Sequence, residues 1–377
     1  DLEAIGLLKM DFLGLRTLTV LSDTIDLVKE STGKEYALGT VPQGDEAAYR
    51  LLCSGLTQGI FQLESSGMRR LLVQLAPERL DDLISLVALY RPGPLGSGMV
   101  DDFIKARHGE KEVTYLHPLL TEILAPTYGI ILYQEQVMQI CHRLGGFTLA
   151  ESDLVRRAMG KKQPELLATM REKFVQGAGA RGIPRGTAEE IFHLMEFFAG
   201  YGFNKSHSAA YALIAYWTAF FKANYPQAFM AALLTSVMGN TDKVRVYIEE
   251  CRRLGIKIFP PDVNHSKERF TVEGDGIRVG LLAVKNLGSG AIQTILTEQS
   301  KAPFTSLHEF CRRVDLRTVN KRAVESLVRV GAFASTGHTR RAMLAQLEEA
   351  FEMAHRYAAQ QASGQLSLFG PGAGFSA

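Results

Sequence analysis

The run Thr148-Leu149-Ala150-Glu151-Ser152-Asp153-Leu154-Val155-Arg156-Arg157-Ala158-Met159-Gly160-Lys161-Lys162-Gln163-Pro164 reads as two helices meeting at a basic corner. Thr148 and Glu151 have the Thr-x-x-Glu spacing of a capping box, in which each side chain satisfies the other residue's backbone N–H, so a helix is predicted to begin there. Gly160 suits a C-terminal helix cap, and Pro164 suits the first turn of the next helix. Arg156, Arg157, Lys161 and Lys162 then put four cations within seven residues. Two readings are open at this point. The cations complement the negative end of a helix dipole, or they grip a polyphosphate, with planar guanidiniums holding oxygens bidentately and lysines adding point charge.

Outward from this corner, residues 44 to about 235 carry a helical pattern. Helices are predicted at 45–54, 65–75, 80–89, 134–143, 149–159, 164–177, 187–198, 207–223 and 227–237. Two Gly-rich loops interrupt them, Arg91-Pro92-Gly93-Pro94-Leu95-Gly96-Ser97-Gly98 and Gly200-Tyr201-Gly202-Phe203-Asn204-Lys205-Ser206-His207. Loops of this kind on a rigid scaffold often carry function. In the second, Ser206 is the predicted N-cap, with Lys205 and His207 flanking a helix start where anions are favoured. His207 is equally readable as a histidine hydrogen-bonded in a packed corner. Tyr211, Tyr216 and Trp217 read as core. Before this region, residues 4–15 have strand alternation, with Leu8, Met10 and Phe12 on one face and Lys9 and Asp11 together on the other. A helix from Thr17 to Lys29 follows, with Leu18, Leu21, Ile25 and Leu27 or Val28 inward and an end near Gly33.

Downstream, a helix spans much of 240–261, and residues 267–282 read as a small hairpin around Gly274-Asp275-Gly276. Val284-Lys285-Asn286-Leu287-Gly288-Ser289-Gly290-Ala291-Ile292 fits a helix-hairpin-helix pattern. In that pattern a Gly-x-Gly turn opens the second helix and offers backbone N–H groups to a DNA phosphate, which the bare Gly288 and Gly290 let approach closely. Arg312, Arg313, Arg317, Lys321, Arg322 and Arg329 follow as a basic run. An Ala-rich amphipathic helix then extends from Ala342 to about Gln361. The Gly-rich tail after it holds a compact apolar peptide, Gln365-Leu366-Ser367-Leu368-Phe369, suited to docking on this chain or on a partner.

The 377 residues suffice for two or three domains, and 46% hydrophobic content can fill real cores. The formal net charge is only +2, yet it is unevenly spread. Residues 141–186 hold nine Lys/Arg against four Asp/Glu, and residues 301–341 hold nine against three. Such islands point to anionic partners at defined places. Cys53, Cys141, Cys251 and Cys311 have no Cys-x-x-Cys spacing, which argues against a zinc ribbon or a disulfide framework and fits a reducing cytoplasm. The most apolar stretch, 208–221, is too short to span a bilayer, so no membrane partner is expected. The chain opens on Asp1 rather than Met, as an internal piece of a longer protein would.

Four of these stretches, in this order, resemble the alpha subunit of bacterial DNA polymerase III, the C-family replicative polymerases. They are Lys9-Met10-Asp11-Phe12-Leu13-Gly14-Leu15-Arg16-Thr17-Leu18, Tyr90-Arg91-Pro92-Gly93-Pro94, the Arg156 to Lys162 run, and Gly200 through Tyr211. The resemblance covers nearly the whole chain. It implies a mainly α fold: a C-terminal palm remnant with a little β structure at 1–40, a helical fingers domain at 41–262, a tandem helix-hairpin-helix domain at 263–345, and a helix with a clamp-binding tail at 346–377. It further implies that Asp11 is a catalytic, metal-binding carboxylate of the palm and that Lys9 lies near the phosphates of the incoming nucleotide. Arg156 and Arg157 would hold the triphosphate, with Lys161 and Lys162 as further candidates. Asn204, Lys205 and His207 would border the same pocket. Lys285, Gly288, Ser289, Gly290, Lys321 and Arg322 would contact DNA. Gln365, Leu366, Ser367, Leu368 and Phe369 match the family's sliding-clamp peptide.

The implied reaction is attack of a primer 3′-hydroxyl on the α-phosphate of a dNTP, assisted by two Mg²⁺ ions, which demand hard oxygen ligands. The implied partners are primer-template DNA, dNTPs, the sliding clamp (beta subunit) and other polymerase III holoenzyme subunits. The family's other two palm aspartates precede the matching region, so this chain alone is expected to show no primer extension. Two alternatives use the same residues: a non-catalytic DNA- and clamp-binding module, and an error-prone polymerase of the same family.

Overall fold

The computed structural model describes residues 5–8, 10, 13–160, 163–199 and 202–362. Lys9, Asp11, Lys161, Lys162, Gln365, Leu366, Ser367, Leu368 and Phe369 lie outside the described residues. Nineteen α-helices and one three-stranded sheet among them make the fold mainly α. Packing divides the chain into two compact units, residues 38–224 and residues 1–37 with 225–377.

In the 38–224 unit, every helix predicted there forms within a few residues of its expected bounds. Its longest, Lys205–Asn224, is apolar on more than one face and is therefore buried on several sides. It packs against Leu80–Leu89 and Glu46–Cys53. Tyr216 is fully buried, and its hydroxyl donates to the Pro42 carbonyl at 2.6 Å while accepting from the Asp45 N–H at 3.0 Å. Lys222 is buried too, its ammonium donating to the carbonyls of Leu56 and Gln58 at 2.7 and 2.8 Å, as a desolvated cation requires. Asp82, buried in Leu80–Leu89, pairs with Arg107 at 2.9 Å. Burial opposes its charge, but the Arg107 hydrogen bond and the Glu78 backbone N–H leave its carboxyl below the usual value. Arg107 belongs to Met99–Arg107, a helix without a sequence signal because Gly98 precedes it in the left-handed region (φ +77°) instead of a capping side chain.

A second core in this unit gathers Phe147, Phe174 and Phe192 between Gln134–Arg143, Leu149–Gly160, Pro164–Gly179 and Arg185–Ala199. Glycines set one close approach there: a Cβ on Gly177 would lie 1.9 Å from the carbonyl oxygen of Gly145. The capping box forms as predicted. The Thr148 N–H donates to Glu151 Oε2 at 3.0 Å, and the Glu151 N–H donates to Thr148 Oγ1 at 3.2 Å. Gly160, expected as a cap beyond the helix, is instead its last helical residue.

In the other unit, helix Arg16–Thr32 packs on Pro226–Ser236 and ends at Gly33, whose φ of +74° closes it with a left-handed cap. Its inward residues are Val20, Leu21, Thr24 and Val28, while Leu18 faces out. The strand expected over 4–15 does not form among the described residues. Ile5, Leu7, Leu8, Met10 and Leu13 are exposed there. An isolated strand without a ladder partner has nothing to offset its ordering cost. The sheet lies later. β2 (Thr271–Glu273) and β3 (Gly276–Arg278) form the predicted hairpin, and β1 (Lys257–Phe259) adds in parallel to β3, giving the order β1-β3-β2. A separate core runs from Val263 through Phe304, Phe310 and Phe333 to Phe351.

Candidate functional site

In the 38–224 unit, three of the quoted stretches meet around residues 132–135. The segment leading into helix Gln134–Arg143 bridges the Gly-rich loop: the Phe203 N–H donates to the Leu132 carbonyl at 3.1 Å, and the Gln134 N–H donates to the Phe203 carbonyl at 2.9 Å. The Gln134 side chain joins the loop to the basic helix, its amide donating to the Gly202 carbonyl at 3.2 Å and accepting from Arg156 Nη1 at 3.4 Å. Arg91 places its guanidinium 4.3 Å from the Phe203 ring centre. Phe203 meets His207 edge-on at 5.3 Å, and His207 stacks on Tyr211 at 4.2 Å. Tyr211 in turn meets Phe61 at 5.3 Å. Of the three aromatics expected in the core, Tyr216 is fully buried, while Tyr211 and Trp217 are half-buried.

Arg156 and Arg157 share one carboxylate. Asp153 Oδ1 takes Arg156 at 2.8 Å, and Oδ2 takes Arg157 at 2.7 Å. The Arg156 hydrogen bond is the main reason the Asp153 carboxyl lies below its usual value. Arg156 is 29% exposed and Arg157 64%, so one is lodged and the other reaches solvent.

The start of helix Lys205–Asn224 corrects an expectation. Its cap is Asn204, whose Oδ1 accepts from the His207 N–H at 2.8 Å; Ser206 lies inside the helix. The Lys205 N–H goes to both oxygens of Glu135 at 3.0 Å, so an internal carboxylate already stands at this helix start. The Lys205 ammonium lies 5.5 Å from the Tyr133 ring centre. Sequence reasoning missed Asp153, Gln134 and Glu135. Asp153 had a local signal, three and four residues before the two arginines. Gln134 and Glu135 had none, since their partners are distant in sequence.

In the 225–377 segment, Gly288 is the N-cap of helix Ser289–Gln299. A Cβ on Gly288 would meet no atom within 4 Å, and one on Gly290 only the Thr318 methyl at 3.5 Å. Packing therefore does not require either glycine, and Ser289 and Lys285 beside them are exposed. Before this turn only a 3-10 turn forms, Leu281–Ala283, in place of a first α-helix. Lys321 opens helix Lys321–Val330 and pairs with Glu348; Arg322 is exposed beside it. Arg313, by contrast, is a structural residue. It is 15% exposed, pairs with Glu309 at 3.1 Å, donates to the Ala302 carbonyl at 2.8 Å, and covers Phe304.

Among the described residues no group of three or more His, Cys, Asp or Glu could hold a metal ion, and no helix is long and apolar enough to cross a membrane. Asp81, Asp82, Asp101 and Asp102 form no such group, and Asp82 is used by Arg107.

Comparison with known proteins defines the class first. Residues 17–182 match the bacterial DNA polymerase III alpha subunit finger domain, and residues 255–343 match a helix-hairpin-helix motif. The chain is 48% identical to the DNA polymerase III subunit alpha of Pseudomonas aeruginosa, over 98% of its own length and 34% of that protein's. It is 46% identical to that of Escherichia coli strain K12, over 98% of its length and 33% of the relative's. The chain belongs to the bacterial DNA polymerase III alpha subunit family, and spans about a third of the length of the curated relatives it matches.

Proposed function

We propose that this chain supplies the fingers and a DNA-holding module of a replicative DNA-directed DNA polymerase. The observation that carries the reading is that Arg91, Arg156 and His207 meet at the junction of Gln134 and Phe203, with Lys205 beside it on Glu135 and Tyr133 and Arg157 tied to Arg156 through Asp153. An incoming dNTP presents several phosphate oxygens, which arginines hold as forks and a lysine as a point charge. Fixed cations at the β- and γ-phosphates stabilise charge that grows on the pyrophosphate leaving group. Arg156 and Arg157 take this role, with Lys161 and Lys162 as neighbours in sequence, and Asn204, Lys205 and His207 border the pocket. Asp11 and Lys9 belong to the palm side of the reaction. Magnesium, when bound there with further carboxylates from outside the described residues, would activate the 3′-hydroxyl.

Lys285, Gly288, Ser289, Gly290, Lys321 and Arg322 hold primer-template DNA through its backbone. Residues 365–369 bind the sliding clamp, with Leu368 and Phe369 as anchors, in a cytoplasmic holoenzyme. The partition into palm remnant, fingers, helix-hairpin-helix and tail describes these roles rather than packing.

The test is a crossed mutagenesis in the full-length subunit. Arg156→Ala with Arg157→Ala is expected to raise the KM for dNTPs at least about tenfold, the scale of one charge-assisted hydrogen bond removed at each position, and to leave duplex affinity nearly unchanged. Lys285→Ala with Arg322→Ala is expected to do the reverse. If the arginine pair lowered DNA affinity while nucleotide dependence stayed normal, the non-catalytic binding module would be the better reading.

A further inference from the structure

Asp153 stands where the two arginines of the proposed grip are both already occupied. It lies on the same helix, one turn before them, and each of its carboxylate oxygens serves a different guanidinium, at 2.8 and 2.7 Å. Salt bridges at this spacing are common on helix surfaces and worth little, so the pairing alone says nothing. What sets this one apart is where Arg156 goes next. With its Nε and one terminal nitrogen on Asp153, its other terminal nitrogen reaches Gln134 Oε1, and the Gln134 amide reaches the Gly202 carbonyl. Arg156 is therefore held from two sides, by Asp153 and by the Gln134 junction with the Gly-rich loop. Arg157, on the other oxygen, has no such second anchor among the described residues and is mostly exposed.

We propose, resting on the nucleotide-grip reading above, that Asp153 is a resident counter-ion that holds Arg156 and Arg157 until a triphosphate displaces it. The carboxylate occupies the guanidinium edges that phosphate oxygens would use. Binding a nucleotide thus exchanges one anion for another, and the grip does not stand empty with its arginines repelling each other. The exchange has two consequences. The carboxylate competes with the triphosphate in the ground state, which weakens nucleotide binding. It also restores itself when pyrophosphate leaves, which speeds release. Removing its charge should tighten binding and slow turnover together, a pattern that loss of a merely structural helix pair does not produce.

The experiment compares Asp153→Asn, Asp153→Glu and Arg156→Ala/Arg157→Ala in the full-length subunit, by primer extension over a range of dNTP concentrations and by inhibition with inorganic pyrophosphate. Asp153→Asn is expected to lower the KM for dNTPs and the inhibition constant for pyrophosphate, each about fivefold, the scale of one exposed charged pair, and to lower kcat. Asp153→Glu, which restores the charge, is expected to return all three toward wild type. A KM and pyrophosphate constant that rise or do not move in Asp153→Asn, while the double arginine variant still raises the KM, would overturn this inference and leave the grip intact. If the double arginine variant also left nucleotide dependence unchanged, the grip reading itself would fail and this inference with it.

Discussion

Glu151 illustrates how far single residues were legible. Its partner Thr148 is close in sequence, so the capping box could be read from spacing alone, and it forms as read. Lys173, from the next helix, adds an ion pair that sequence could not show. That hydrogen bond, followed by those from the Thr148 N–H and hydroxyl, lowers the Glu151 carboxyl from 4.5 to about 2. The unfolded chain takes up the proton first, so the contribution of Glu151 to stability is complete above pH 4.5 and is lost as the pH falls toward about 2. Glu151→Gln is expected to melt below wild type at neutral pH, and the gap is expected to shrink through that acid window and close at its lower end. A gap that stays constant across the window would mean that the ionised form is not what holds the cap. Asn204 shows the opposite case. It and Ser206 are both good caps within three residues, and the choice is set by the distant Glu135, which fixes the Lys205 N–H and hence where the helix begins.

At the scale of elements, helices were legible because apolar periodicity is local, while their packing partners were not. Met99–Arg107 lacked a cap signal, and β1 pairs with a strand well over ten residues away. The 4–15 segment had the right alternation for a strand but no ladder partner among the described residues, so pattern alone did not make structure. Glycines separate packing from function in a way that can be tested. Gly177→Ala would press a methyl to 1.9 Å of the Gly145 carbonyl. It is expected to destabilise by about 2 kcal/mol after the gain in helix propensity is counted, measured by denaturant unfolding. Gly290→Ala meets only ordinary van der Waals distances within its helix and is expected to hold or raise stability by about 0.5–1 kcal/mol. The same change should weaken duplex binding if a phosphate approaches that turn. Unchanged DNA affinity would remove the turn from the proposed interface.

Over the whole chain, the net charge of +2 conceals which cations are spent internally. Sequence showed a basic island at 301–341 but could not sort it, because ion pairing depends on neighbours brought in by the fold. The structure does sort it. Arg313 is enclosed by Glu298, Glu309 and backbone carbonyls, Arg317 pairs with Asp315, Arg329 with Glu325, Lys301 with Glu298 and Lys321 with Glu348. Arg312, Arg322, Arg340 and Arg341, with Lys285 before the island, carry no ion pair among the described residues; Arg312 lies against Tyr357 and Arg340 donates to the Arg329 carbonyl, while Lys285, Arg322 and Arg341 show no side-chain partner there. Cations without an internal partner displace counterions from DNA at least cost, since nothing need be broken first. Replacing Lys285, Arg322 and Arg341 together with alanine is therefore expected to flatten the plot of log affinity against log salt, by about 0.9 for each phosphate no longer neutralised. Arg313→Ala should behave differently. Leaving Glu298 and Glu309 without their half-buried partner is expected to lower stability by about 2–3 kcal/mol, a range set below that of a fully buried pair because some solvent reaches it. Its salt slope should stay that of the wild type. Titrations of duplex binding at several salt concentrations decide the matter: a slope that falls with Arg313 and not with Lys285, Arg322 and Arg341 would place the interface on another face.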